Sequence, residues 1–229
     1  MNKQLESGIE LMGKGEVNKA LTCFEMVVEA NPIDHLAIYY IGLSHLKLDK
    51  VATAILHFNR ALELAPNTVN YLSDRAVAKL RAKDQNGSMS DLDKCVVLDP
   101  HYSYRYSLRA FIRNSFGDSQ GAILDYKKAI ELDPEDPIAL NNLGLCEEAQ
   151  GYKTSAQQRF EQADKLSGIT GKQTANDHTI KLNEPEPNVP GSSKPNYWNT
   201  IASVFTDAKQ RAEFLQFTKQ LITGKRNNS

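Results

Sequence analysis

FEMVVEANP at residues 24–32, FNRALELAP at 58–66, LDKCVVLDP at 92–100 and YKKAIELDP at 126–134 end alike, and their prolines Pro32, Pro66, Pro100 and Pro134 stand 34 residues apart each time. Counted from Met1, the eighth position of each 34-residue copy is small: Gly8, Gly42, Ala76, Ala110 and Gly144. So is the twentieth: Ala20, Ala54, Ser88, Ala122 and Ala156. A bulky group, Phe24, Phe58, Leu92, Tyr126 or Phe160, recurs at the twenty-fourth, and Val27, Ala61, Cys95, Ala129 or Ala163 at the twenty-seventh. Small residues let two helices approach closely, and a bulky one fills the remaining gap. Within a copy, apolar residues recur at three- and four-residue steps, a turn such as KGEV, GDSQ or QGYK interrupts them, and proline closes the second helix because it lacks the donor a helix needs. Each copy therefore reads as a helix hairpin.

This pattern resembles the tetratricopeptide repeat family. The resemblance covers residues 1–168 and implies an all-α, right-handed superhelical solenoid of five helix-turn-helix repeats at 1–34, 35–68, 69–102, 103–136 and 137–168. The family's usual first-helix tryptophan is replaced by Gln4, Ile38, Leu72, Tyr106 and Leu140. Copy three diverges most, with no glycine at its helix turn until Gly87. A stacked repeat offers its neighbour an apolar face and the last copy should not. The twenty-first position runs Leu21, Ile55, Met89, Ile123 and then Gln157, and the twenty-eighth Val28, Leu62, Val96, Ile130 and then Asp164, so copy five is expected to cap itself.

Composition narrows the function. Among 229 residues, 41% are hydrophobic and 24% charged, an ordinary balance for a globular chain. With 27 basic and 28 acidic side chains the net charge is −1, so no basic field exists to attract nucleic acid. The start, MNKQLESGIELMGKGEV, has no charged region followed by an apolar one, and no run approaches the ~20 apolar residues that span a bilayer. A cytoplasmic location is expected. Cys23, Cys95 and Cys146 lie far apart among apolar neighbours and read as reduced core thiols. His35, His45, His57, His101 and His178 form no close metal-ligand spacing, and no P-loop, dinucleotide fingerprint or nucleophile elbow is present. No cofactor, metal or catalytic residue is expected. His45 and His57, on facing helices of copy two, read as surface or packed histidines, and Glu147 and Glu148 as part of solvated faces.

The resemblance implies a binding module whose concave surface, lined by the first helix of each hairpin, holds extended or helical peptides. Projecting the family's groove onto this chain gives Ile9, Leu43, Val77, Phe111 and Leu145 at the ninth position, joined by Leu5, Tyr39, Tyr40, Asp74, Tyr104, Leu108 and Asn142. Some members clamp the terminal carboxylate of chaperones with lysine, asparagine and arginine; Leu5, Ile9, Tyr39 and Leu43 stand where such a clamp needs its polar groups, so that specialisation is rejected. The plain alternative is that this row only packs hairpin against hairpin. Against it stand Tyr39, Tyr40, Tyr104 and Phe111, an aromatic concentration suited to an apolar, aromatic partner.

The chain carries such a partner itself. Residues 169–196, with Pro185, Pro187, Pro190 and Pro195 among polar residues, read as a flexible linker, and 197–229 as an amphipathic helical tail. TDAKQRAEFLQFTKQLITG at 206–224 has Thr206 or Asp207 as N-cap and Gly224 as stop. Ala208, Phe214, Leu215, Phe217, Leu221 and Ile222 share one face, and the sole tryptophan, Trp198, precedes them with Ile201, Val204 and Phe205. The reading is a non-enzymatic scaffold whose groove takes a protein or peptide, its own tail included, in cis or in trans, with Trp198, Phe205, Phe214, Phe217 and Leu221 as anchors. A homodimer with exchanged C-terminal helices is the alternative. A membrane-surface tether through the tail, which holds five basic and two acidic groups, ranks below both.

Overall fold

The computed structural model describes residues 2–167, and all of its regular structure there is helical. Ten α-helices follow in order: α1 Lys3–Gly13, α2 Val17–Ala30, α3 His35–Lys47, α4 Val51–Leu64, α5 Val69–Arg81, α6 Gln85–Leu98, α7 Ser103–Ser115, α8 Ser119–Leu132, α9 Pro137–Ala149 and α10 Lys153–Leu166. The 34-residue period is kept to the residue at every helix end but the start of α1. Second helices have Glu16, Lys50, Asp84, Asp118 and Tyr152 in the N-cap position, of which Asp84 and Asp118 accept with their side chains, and Asn31, Ala65, Asp99, Asp133 and Ser167 in the C-cap position. Asp34 and Asp136 hold the first turns of α3 and α9 by accepting from backbone N–H groups, as Asp84 and Asp118 do for α6 and α8.

The turn inside each hairpin needs one residue in the left-handed region. Gly15, Gly117 and Gly151 occupy it at φ 78°, 87° and 85°, and Asp49 and Lys83, one period apart, occupy it at 60°. Copy three thus turns through Lys83 without a glycine.

The close approach read from the eighth position is real. A Cβ on Gly8 would lie 2.5 Å from Cε1 of Phe24, and on Gly144 2.5 Å from Cε1 of Phe160. Phe24 and Phe58 are fully buried, a burial that stabilises by roughly 1.5–3 kcal/mol for each such side chain.

The described residues form two compact units, 2–99 with α1–α6 and 100–167 with α7–α10. In the first, α1 packs on α2, α3 on α4 and α5 on α6, while α2 leans on α3 and α4 on α5. One core cluster gathers Leu5, Ala20, Phe24, Val27, Ala37 and Ile41; a second gathers Ile38, Ala61, Leu62, Tyr71, Leu72 and Cys95. In the second unit α8 joins the α7 and α9 hairpins around Ala110, Ile123, Tyr126, Ala129, Leu143 and Cys146. At α10, Gln157 is exposed and Asp164 half-buried, whereas Ile123 at the corresponding place in α8 is buried.

Hairpins three to five carry ion pairs inside. Asp91 accepts from Arg75 Nε at 2.8 Å, Arg75 Nη2 at 2.6 Å and Lys79 Nζ at 2.8 Å. Asp125 accepts from Arg109 Nε at 2.8 Å and Nη2 at 2.7 Å, with Arg113 Nη1 3.1 Å away. Hairpin five reverses the signs: Glu147 accepts from Ser155 Oγ at 2.6 Å and lies 3.8 Å from both Arg159 Nε and Lys127 Nζ. Glu147 is therefore not on a solvated face; it is buried, at 2% exposure, and only Glu148 beside it is half-exposed. The helical period turns adjacent residues about 100° apart, which puts one inside and the other at the rim.

Among the described residues no helix is long and apolar enough to cross a membrane. Cys23 is half-buried, Cys95 and Cys146 are buried, and all three are free. The expectations for the linker and the tail, with Trp198, Phe205, Phe214, Phe217 and Leu221, lie outside the described residues.

Candidate peptide-binding face

Of the four aromatics expected on the first helices, Tyr39 and Tyr40 lie on α3 in the unit of residues 2–99, where α5 adds Tyr71, and Tyr104 and Phe111 lie on α7 in the unit of residues 100–167. Asp34 starts α3 by accepting from the Ala37 N–H at 2.9 Å, which sets His35 in the first turn and Tyr39 four residues on, on the same side. Tyr71 and Asp74 stand three apart on α5 and meet them. The Tyr39 hydroxyl donates to Oδ2 of Asp74, and the Tyr71 hydroxyl and His35 Nδ1 share a hydrogen bond of 2.9 Å.

Tyr39 and Tyr71 stack with centroids 4.2 Å apart and planes 21° apart. Tyr40 stacks on Phe24 of α2 at 5.1 Å and 17°. Tyr39 is tilted against Tyr40 at 5.3 Å and against Phe58 of α4 at 5.8 Å. The result is an aromatic band from His35 through Tyr71, Tyr39 and Tyr40 to Phe24. Burial, and then the Asp74 carboxylate, hold the Tyr39 hydroxyl well above its ordinary 10. The same causes in the same order raise Tyr40, and burial pushes Tyr71 up to about 12. These phenols stay neutral hydrogen-bonding groups at any physiological pH.

The expected groove residues divide by depth. In the unit of residues 2–99, Ile9, Tyr39, Tyr40 and Leu43 are half-buried, whereas Leu5, Asp74 and Val77 are buried, Val77 at 1% exposure. In the unit of residues 100–167, Phe111, Asn142 and Leu145 are half-buried, and Tyr104 and Leu108 are buried. The ninth-position row is therefore not a uniform lining, and the buried members lie beneath the surface. Tyr104 sits 6.0 Å from Tyr102, with the Arg105 guanidinium 5.1 Å and 5.5 Å from the two rings.

Tyr71, His35, Phe24 and Phe58 complete the band and were not in the expected set. Their signal was available: Tyr71 leads Asp74 by three residues, and His35 precedes Tyr39 by four. His45 and His57 pack as expected, with rings stacked at 5.3 Å and 22°. Among the described residues no three or more of His, Cys, Asp and Glu gather as metal ligands would.

Comparison with known proteins places this architecture. A family model described as "Tetratricopeptide repeat" matches residues 5–68, and one described as "TPR repeat" matches 114–151. Small glutamine-rich tetratricopeptide repeat-containing protein 2 of Mycosarcoma maydis is 28% identical over 103 residues, 45% of this chain and 29% of that protein. Hsp70-Hsp90 organizing protein 3 of Arabidopsis thaliana is 26% identical over 107 residues, 47% of this chain and 19% of that protein. The chain thus spans less than a third of the length of these relatives. Among solved structures, MamA from Desulfovibrio magneticus RS-1 superposes with a TM-score of 0.66 at 19% identity, covering 74% of this chain and 98% of that one. YrrB, whose title describes a TPR protein with an unusual peptide-binding site, gives a TM-score of 0.59 at 15% identity, covering 73% and 86%. Both likenesses concern the fold.

Proposed function

The chain belongs to the tetratricopeptide repeat family, and from that premise we propose a non-enzymatic protein-interaction scaffold whose first-helix face binds an apolar, aromatic peptide or helix. The observation that carries this reading is the half-exposed pair Tyr39 and Tyr40, braced from behind by Tyr71, Phe24 and Phe58 and flanked by half-buried Ile9 and Leu43. Rigid aromatic rings offer much contact area at little cost in rotamer freedom, which is what a recognition surface needs. The organising role in one relative's name and the peptide-binding site in the YrrB title fit a surface of this kind. Leu5, Ile9, Tyr39 and Leu43 stand where a carboxylate clamp would need polar groups, so in this reading a partner enters with apolar side chains.

In this reading residues 1–168 form the repeat array, 169–196 a tether and 197–229 a segment that occupies the face. A tether of this length, with a mean span on the order of 30 Å, gives an effective concentration in the millimolar range, so weak intrinsic affinity suffices for occupancy. The sole tryptophan reports it in the full-length chain. Blue-shifted emission from Trp198 that moves to the red on Tyr40→Ala is the expected result. Emission typical of water in both proteins would sink occupancy by the tail. Emission that shifts with protein concentration marks exchange between two copies instead of docking within one.

A further inference from the structure

We propose that the face on α1 and α3 is selective for a cation, and that its occupant contributes Arg211, which pairs with Glu6 over the exposed part of Tyr40. This rests on the reading of the C-terminal segment as the occupant and adds the chemistry by which it is recognised.

Glu6 and Tyr40 hold the same place in successive copies, 34 residues apart, on helices that touch. Glu6 is exposed and pairs with no cation among the described residues, whereas its neighbour on the next turn, Glu10, is taken by Lys14 at 2.6 Å. Ile9 follows Glu6 by three residues on α1, and Tyr40 and Leu43 hold the corresponding two places on α3; all three are half-buried. The surface is thus apolar and aromatic with one unmatched carboxylate at its edge. A guanidinium suits it, because its plane lies against an aromatic ring while its fork donates to a carboxylate.

The C-terminal sequence supplies that group in a suitable place. In the helical pattern of 206–224, Arg211 precedes Phe214 and Leu215 by three and four residues and Ile222 by eleven, so it falls within the apolar stripe. Lys209 belongs to the opposite side, and Lys225 and Arg226 follow the Gly224 stop. An arginine in the middle of an apolar stripe loses water when that stripe docks, and needs a carboxylate where it lands. The segment's excess of five basic over two acidic groups has the complementary sign. Residues 168–210 extend on the order of 140 Å when stretched, so the tether does not restrict access to α1.

Hydrogen exchange of the 206–223 amides in the full-length chain, at low and at high salt, tests the pairing. Protection in the unaltered chain should fall about 5-fold in high salt and by a similar factor in Arg211→Gln and in Glu6→Lys. The double variant Glu6→Lys with Arg211→Glu should recover it. Glu6 is exposed and Arg211 lies outside the described fold, so both substitutions leave the hairpins intact; Tyr40→Leu, which also disturbs Phe24, is the supporting variant. Protection that ignores salt and both charge changes overturns the cation while leaving apolar docking in place. Absence of protection in the unaltered chain overturns the docking itself.

Discussion

Tyr39 of the second hairpin and Tyr71 of the third stack at 4.2 Å, and each hydroxyl is bound by the helix that carries the other: Tyr39 by Asp74 on α5, Tyr71 by His35 on α3. The crossing bonds lock two helices of neighbouring copies together, on the face proposed to receive a partner. On that proposal stability and recognition share residues here.

Tyr39→Phe keeps the stack and removes one donor, so it should cost about 1 kcal/mol, while Tyr39→Ala should cost about 3–5 kcal/mol. Urea midpoints of the two variants measure the difference. Alkaline pH gives a second check. The folded chain holds both phenols above the unfolded value of 10, so their contribution is complete below pH 10 and is lost as pH rises beyond it, toward about 12 for Tyr71. Tyr39→Phe with Tyr71→Phe should flatten the fall in midpoint between pH 9 and 11. An unchanged slope would mean that the hydroxyls are not held.

Asp91 and Asp125 each neutralise two cations within a hairpin, and Asp91 is 1% exposed. Asp91→Ala leaves Arg75 and Lys79 unmatched and should destabilise by about 3–5 kcal/mol. The exposed pair Arg60 with Glu63 is the control; Glu63→Ala should cost less than about 1 kcal/mol. Equal losses in thermal or urea melts would contradict the burial of the aspartate.

Burial lowers both His45 and His57 from 6.5; Lys50 adds to the effect at His45, where Glu25 opposes it, and His45 adds to it at His57. Below 6.5 the unfolded chain takes up protons that the folded one resists, so the contribution present at neutral pH is lost as pH falls through 6.5 toward the lower folded values. The unfolding midpoint should drop between pH 7 and 5, and the drop should shrink in His57→Phe. A variant that tracks the unaltered chain across that interval would count against the stacked, neutral pair.

Glycine substitutions should sort by environment. Gly8→Ala drives a methyl into Phe24 and should cost about 1–3 kcal/mol, whereas Gly13→Ala meets nothing within 4 Å in a helix and should stabilise by up to about 1 kcal/mol. At the hairpin turn, Gly117→Ala should destabilise and Lys83→Gly should be tolerated or stabilising, because both positions have positive φ. Calorimetry of the four variants gives the order directly.

The hairpins were legible because a periodic sequence repeats its constraints. Position eight can be read as small since Phe24, Phe58 and Phe160 recur sixteen residues later, and the helix ends follow the same period. The ion pairs could have been read in the same way. Arg75, Lys79 and Asp91 fall at the seventh, eleventh and twenty-third positions, and Arg109, Arg113 and Asp125 repeat them one period on. Judged alone, Glu147 looked solvent-facing; set beside Lys79 and Arg113 at the same position, with Arg159 where Asp91 and Asp125 stand, it is the sign-reversed member of a buried series.

What the sequence determined by itself was the number of hairpins, their turns and the positions where helices approach, because local periodicity and side-chain size fix these within one copy. It also put Tyr39 and Tyr40 side by side on the first helix of the second copy. Only the tertiary structure decided depth: Tyr39 and Tyr40 reach the surface, whereas Val77 and Leu108 lie beneath it. Exposure depends on what the neighbouring copies stack above a residue, and the pairs that decide it, Tyr39 with Asp74 and Tyr71 with His35, lie a full repeat apart in the chain, where no period of a single helix can bring them together.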